Sequence, residues 1–287
     1  MKNDSVGNKT NSLGHQLSHA AHLDAHFAMN QAEYEAMIRA VGIEKGWSVL
    51  DAGCGAGSFL PLLANLVGPQ GKIAAIDIAE ENVQFSTKLA KDLDLSCSVA
   101  IQKGELTQLP FNADTFDAVW CANVSQYLVD EQFGIAIEEL IRVTKPGGLV
   151  AIKEYDLDTW QYQPTDPQLI SRLFDQQHPK LSIQGKGALR SVQFRSWYHR
   201  AGLDNIRMKT YVSEIQPPVR PEDRTLIQGV LQWLADIAKE TDLSKTDKLL
   251  WKELADIESD NHILNRPDFY GRESHILAVG TKPVRGR

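Results

Sequence analysis

The chain has 287 residues, 43% hydrophobic and 23% charged, enough for one large domain or one domain with an insertion. Lys and Arg number 30 against 37 Asp and Glu, a formal net charge of -7. A DNA or bulk RNA substrate is therefore not expected, because phosphate binding draws on a basic surface.

Residues 1–17 are polar and small and read as a flexible N-terminal tail, without the apolar run of a signal peptide. Helical spacing starts near His19, and Tyr34, Met37, Ile38 and Val41 then fall at i, i+3, i+4 and i+7 on one stripe. Gly42 and Gly46 close that helix. From Trp47 short apolar runs alternate with helical segments. Strands are expected at Ser48–Ala52, Lys72–Asp77, Ser98–Gln102, Ala118–Ala122 and Leu149–Tyr155, with Phe133, Ile137, Leu140 and Ile141 on one helical face. This alternation predicts a parallel sheet covered by helices on both sides. Residues 157–200 are mixed and aromatic. Two more strands are expected near Ile206–Glu214 and His275–Gly280, with helices between them from Pro221 and from about Ser244 to Ile257.

The chemistry concentrates in Val49-Leu50-Asp51-Ala52-Gly53-Cys54-Gly55-Ala56-Gly57, an apolar strand running into a glycine-rich turn that opens a helix. Glycines let the backbone turn at positive φ and approach a ligand, and the helix start adds free N–H groups. Dinucleotide sites use the same physics. The G-x-G-x-G spacing and the carboxylate of Asp51 serve a pyrophosphate poorly, whereas a ligand with a cationic amino group and a sulfonium is well served. Asp77 ends the second strand, where an acidic side chain accepts from both hydroxyls of a ribose.

VLDAGCGAG resembles the first motif of the class I S-adenosylmethionine-dependent methyltransferases. Gly104-Glu105-Leu106, Leu109-Pro110-Phe111, Phe116-Asp117-Ala118-Val119 and Lys145-Pro146-Gly147-Gly148 follow in the family's order, with Glu105 where Asp is more usual. The LPF and KPGG elements point to the branch that includes ubiquinone and menaquinone biosynthesis methyltransferases. The resemblance implies an α/β fold: a Rossmann-like mixed seven-stranded sheet with helices on both faces, plus a helical substrate cap. The expected organisation is a methyltransferase domain over 18–287. It comprises N-terminal lid helices at 18–46, a cofactor-binding core at 47–156, and cap insertions at 157–205 and 215–265. S-adenosyl-L-methionine is the implied cofactor, held by Asp51, Gly53, Gly55, Gly57, Asp77, Ile78, Glu105, Leu106 and Asn123. The Lys145–Gly148 turn reads as structural.

Glu154 and His178 are the candidate catalytic residues. Glu154 ends the fifth strand beside Asp156, where a carboxylate either orients a nucleophile or stands in water; His178 and His199 are further base candidates or ordinary solvated side chains. Gln126 and Tyr127 either face substrate or begin the next helix. His15, His19, His22 and His26 recur at helical spacing and read as a solvated face, since zinc needs a further ligand set; the resemblance instead suggests a lid that places His26, Phe27 or Tyr34 near the cofactor. No metal is expected. Cys54, Cys97 and Cys121 have neither zinc nor disulfide spacing, and Cys54 and Cys121 read as small buried residues. With no apolar stretch of membrane-spanning length, the chain is expected in the cytoplasm, as a monomer or homodimer, with a small-molecule substrate and no nucleic-acid or membrane partner. The expected reaction is methyl transfer to an O, N or C nucleophile of a small apolar or aromatic metabolite. The alternatives are a cofactor-binding member that transfers no methyl group, cyclase-like or binding only, then a macromolecular methyltransferase. A nicotinamide oxidoreductase ranks below these.

Overall fold

Short apolar runs separated by helices assemble a sheet because each run is too short for a helix and long enough to cross a buried layer. The computed structural model describes residues 20–176 and 184–284. In chain order, the first half contains α1 (Ala20–Met29), α2 (Gln31–Val41), β1 (Ser48–Ala52), α3 (Leu60–Val67), β2 (Lys72–Asp77), α4 (Glu80–Asp92), β3 (Ser98–Lys103), β4 (Phe116–Ala122), α5 (Asp130–Val143) and β5 (Thr144–Tyr155). There follow β6 (Gln161–Gln163), α6 (Leu169–Phe174), α7 (Gln184–Leu189), α8 (Phe194–Arg200), β7 (Asp204–Ile215), α9 (Pro221–Glu240), α10 (Lys245–Ala255) and β8 (Tyr270–Thr281).

The sheet is Rossmann-like and mixed. Strands β3, β2, β1, β4 and β5 lie side by side in parallel, and β8 runs antiparallel between β5 and β7. The seven expected strands are joined by the three-residue β6, which continues the β5 side of β8 by pairing Tyr162 with Gly271. Reversal of the order at β1 and β4 leaves a crevice outside the strands' carboxyl ends, where open α/β sheets take ligands.

Helices cover both faces. The α2 stripe Tyr34, Met37, Ile38 and Val41 is buried with α3 against Val49, Trp120, Ala151 and Leu277. Gly42 closes α2 at φ 88°, a left-handed conformation that costs glycine nothing. Arg207 of β7 reaches across to the last α2 carbonyls, 2.6 Å from Val41 O. On the other face Phe133, Ile137 and Leu140 of α5 pack with Phe194 and Tyr198 of α8. A third cluster joins Leu157, Trp160 and Tyr162 to Ile227, Leu231 and Leu234 of α9 and Trp251 of α10. Pro221 opens α9, and the Ser244 hydroxyl caps α10 by accepting from Asp247 N at 3.0 Å. Among the described residues no helix is long and apolar enough to cross a membrane.

Candidate functional site

The turn after β1 is built on β2. Gly53 N and Cys54 N both donate to Ile76 O, at 2.9 and 2.8 Å, so the chain leaves the sheet while still bonded to it. Gly53 turns at φ 84°, and a Cβ there would stand 2.3 Å from Val124 Cγ2. Gly55, at φ 53°, would press a Cβ to 2.8 Å from Leu23 of α1. The glycines thus let two neighbouring walls close on the turn.

These walls enclose a cavity of about 280 Å3 at the carboxyl edge of the sheet. One end is formed by Asp77, Ile78 and Asn82 with Glu105 and Leu106. Gly53–Ala56 form its middle. The far end carries Asn123, Gln126 and Tyr127 after β4, Tyr155 at the end of β5, and His26 and Tyr34 from α1 and α2.

Asp77 is nearly buried and accepts from Gly55 N at 2.9 Å, Ala79 N at 2.9 Å and the Asn82 amide at 3.1 Å. Burial raises its pKa, and the N–H donors oppose the rise. Asp51 is 1% exposed and stands outside the cavity wall; its Oδ2 has no hydrogen-bond partner. Burial, reinforced by the charge of Asp77, pushes its carboxyl up to about 8. Gly57 also stands behind the wall, packed against Leu60 and Ser86. Ile78 is half exposed at the rim beside buried Leu106, and exposed Glu105 accepts from Thr107 Oγ1 at 2.6 Å. Asn123 sits at φ 59°, its backbone N–H held by Lys153 O at 2.9 Å.

The catalytic candidates are placed differently. Glu154 is fully buried on the α5 side of the sheet and stands outside the cavity wall. It accepts from Ser125 Oγ at 2.8 Å, Gln126 N at 3.0 Å and Tyr155 N at 3.0 Å. His178, like His15, His19 and the 1–17 tail, lies outside the described residues. Asp156 is buried away from the cavity and His199 is exposed on α8. The Lys145 ammonium meets Asp117 at 2.7 Å, and Lys145–Gly148, expected as a turn, form the irregular start of β5 and stay clear of the cavity.

The solvated-face reading of the histidines does not hold for His26, which is 5% exposed. The rings of Tyr34, Tyr155 and His275 pack around its imidazole. Around His26 lies a polar cluster that periodicity did not reveal. Its Nδ1 is 3.0 Å from Tyr34 Oη and its Nε2 is 3.0 Å from Tyr155 Oη. Lys153, 0% exposed, donates to Tyr34 Oη at 2.8 Å and to Asn123 Oδ1. Burial lowers its pKa strongly, against the pull of the Glu154 and Glu273 carboxylates. Asn30, Glu273 and His275 complete the cluster. The signal in the sequence was charge inside strands otherwise apolar, Lys153 in VAIKEY and Glu273 and His275 in ESHILAV. Among the described residues no group of three His, Cys, Asp or Glu side chains is placed to hold a metal.

Residues 43–202 match the family model described as a methyltransferase domain. Demethylmenaquinone methyltransferase of Staphylococcus aureus is 26% identical over 213 residues, spanning 66% of this chain and 81% of that protein. A Bacillus halodurans chain assigned as a methyltransferase superposes with a TM-score of 0.59 at 14% identity, over 88% of this chain and 100% of that one. Phosphoethanolamine N-methyltransferase 2 of Haemonchus contortus, solved with S-adenosyl-L-methionine, gives 0.55 at 14% identity over 93% and 58%. These two likenesses show the fold. With the motif order, the cavity at the carboxyl edge and the family match over residues 43–202 together, the chain belongs to the methyltransferase-domain family and is a class I S-adenosylmethionine-dependent methyltransferase.

Proposed function

We propose that the cavity holds S-adenosyl-L-methionine and that a small, apolar or aromatic acceptor is methylated at its far end. The carrying observation is the order of its lining, from Asp77 and Glu105 through Gly53–Ala56 to Asn123 and Tyr155. When bound, the cofactor supplies a methyl group on a sulfonium, which a substrate nucleophile takes by direct displacement. Asp77 and Glu105 would hold the nucleoside, with Ile78 and Leu106 as apolar walls. Gly53, Gly55 and Asn123 would bring backbone close to the amino-acid part. Asp51 stands behind the cavity wall, and its buried, unpartnered Oδ2 would favour a cationic ligand through its charge rather than by lining the cavity, because a carboxylate raised to about 8 gains most when a positive charge arrives. Gly57 keeps the turn packed on α3.

Segments 157–205 and 215–265 act in this reading as the cap, and 18–46 as the lid helices. Leu23, His26 and Phe27 of α1 line the cavity, and Arg190 donates to Ser125 O at 3.0 Å and Leu128 O at 2.8 Å, tying the cap to the cavity loop. Relatives named for demethylmenaquinone support a ring-bearing acceptor. Alignment of acceptor and methyl group is the main contribution expected of the protein, up to roughly 7–11 kcal/mol at the limit. Three unpaired cysteines support a reducing, cytoplasmic setting, and we propose a monomer or homodimer without nucleic-acid or membrane partners.

Thermal unfolding with S-adenosylmethionine, S-adenosylhomocysteine or NAD tests the cofactor. Ligand at a hundred times its Kd stabilises by about 2.7 kcal/mol, several degrees of Tm. A rise with both adenosyl ligands and none with NAD is expected; no rise with either adenosyl ligand overturns the reading.

A further inference from the structure

The far end of the cavity is organised around a buried proton-accepting chain, and its hydrogen-bond pattern fixes which atoms hold protons. Asn30 is fully buried, and its Nδ2 lies 3.0 Å from His26 O, so that atom is the amide nitrogen and donates. The same Nδ2 faces His26 Nε2 at 3.2 Å, and Asn30 Oδ1 lies 3.1 Å from His275 Nε2. A donor facing Nε2 leaves that nitrogen a lone pair, so the proton of the neutral imidazole sits on Nδ1, directed at Tyr34 Oη. Tyr34 Oη also accepts from Lys153 Nζ at 2.8 Å. On the other side the Nε2 lone pair receives Tyr155 O–H at 3.0 Å. Tyr155 and His26 both line the cavity, and with its proton directed at His26 the Tyr155 oxygen has only lone pairs left to offer there.

A carboxylate stands ready for the charge that proton uptake would create. Glu273 Oε1 accepts from Tyr162 Oη at 2.8 Å, while its buried Oε2 has no hydrogen-bond partner and lies 3.8 Å from His26 Nε2. Burial lowers the His26 pKa from the ordinary imidazole value, so the ring is a neutral base at rest. An acceptor that attacks as a neutral amine has no proton to give before transfer and leaves such a chain idle. A hydroxyl must lose its proton, and a positioned base for that step is worth about 100- to 10,000-fold in rate.

Resting on the cofactor reading above, we propose that Tyr155 and His26 are catalytic residues that deprotonate a phenolic or enolic hydroxyl, and that the enzyme methylates that oxygen. The acceptor O–H bond breaks as Tyr155 Oη takes the proton, and Tyr155 passes its own proton to His26 Nε2. The acceptor oxygen forms its bond to the methyl carbon as the methyl–sulfur bond breaks, that electron pair remaining on sulfur. The imidazolium, facing Glu273, returns its proton to water when product leaves. Lys153, Tyr34 and Asn30 are positioning residues that fix the His26 tautomer, and among the described residues Lys153, His275, Glu273, Tyr34 and Tyr155 are titratable groups that face the ring.

The experiment uses the full chain with methyl-labelled S-adenosylmethionine. The acceptors are catechol, 1-naphthol and 4-hydroxycoumarin, set against benzylamine and aniline. Label on oxygen of a hydroxyl acceptor is expected. Tyr155→Phe should lower kcat by about 100-fold or more while S-adenosylhomocysteine binds within about threefold of the parent. The parent rate should fall on acidification through a pH below 6.5, and His26→Gln, checked for folding by the same ligand-induced Tm rise, should lose that limb. Label confined to amines, label found on ring carbon rather than oxygen, a silent hydroxyl set with the Tm rise intact, or Tyr155→Phe within about threefold of parental kcat each overturn the proposal. Absence of any Tm rise in the parent instead removes the cofactor reading beneath it, so the two failures are told apart.

Discussion

The carboxylate of Glu154 accepts a hydrogen bond from the Ser125 hydroxyl at 2.8 Å and so ties the end of β5 to the loop that follows β4. Ser125 and Gln126 begin the 3-10 turn that walls the far end of the cavity, and Gly187 of α7 packs directly on Gln126. A carboxylate expected near the chemistry is thus engaged in holding the wall. Glu154→Leu should destabilise the fold by roughly 2–4 kcal/mol, because it removes the acceptor of three buried donors, Ser125 Oγ, Gln126 N and Tyr155 N. Urea unfolding measures the loss. Amide exchange at Gln126 should accelerate more than at Val150, and equal acceleration at both sites would refute a local positioning role.

Asp51 couples stability to pH with a definite sign. Its folded pKa of about 8 lies above the unfolded value of 3.8, so the native state binds more protons between these limits. The stability it contributes is present at low pH and is lost as pH rises from about 4 to about 8. Asp51→Asn should therefore gain stability over the parent as pH climbs through that window, by up to several kcal/mol, and level off above it. The same variant should bind S-adenosylmethionine at least about tenfold more weakly. Parallel pH curves for parent and variant would contradict the burial argument.

Asp77→Ala removes the acceptor for Gly55 N and the Asn82 amide together with the proposed ribose contact. Charge-assisted hydrogen bonds are worth about 1.5–3 kcal/mol each, so the Kd for S-adenosylmethionine should rise roughly 10- to 100-fold. Calorimetric titration at constant pH decides it, and an unchanged Kd would remove Asp77 from the binding site.

Gly53→Ala should be more damaging than its one added carbon suggests. The backbone φ of 84° is unfavourable for any residue with a Cβ, and that atom would fall 2.3 Å from Val124 Cγ2. A Tm drop corresponding to about 2 kcal/mol or more is expected. Pairing it with Val124→Ala should recover part of the drop, and absence of any recovery would argue against the clash.

Much of the fold was legible along the chain because it depends on local pattern. Apolar runs gave β1, β2 and the centres of β3, β4, β5, β7 and β8, and the stripe on α2 gave its buried face. β6 was missed: three residues paired at one end of β8 carry no periodic signal of their own. The glycine turn and Asp77 lie within one stretch of some 25 residues, so local order along the chain was enough to juxtapose them.

Tertiary structure decided the rest. Lys153 and Tyr155 alternate onto the same face of β5 as their partners on β8, Leu277 and His275, while Glu154 between them faces the other way. That two-residue period sends Lys153 and Tyr155 into the His26 cluster and Glu154 into the support of the cavity loop. His26, Tyr34, Tyr155 and Glu273 come from four elements, and their chemistry exists only once the antiparallel pairing of β5 with β8 and the packing of α1 over the sheet edge bring them within a few ångströms. Sequence determined the sheet and the glycine turn, because both depend on residues close in the chain. Only burial and strand register decided which titratable groups face the cavity, because those depend on residues far apart in it.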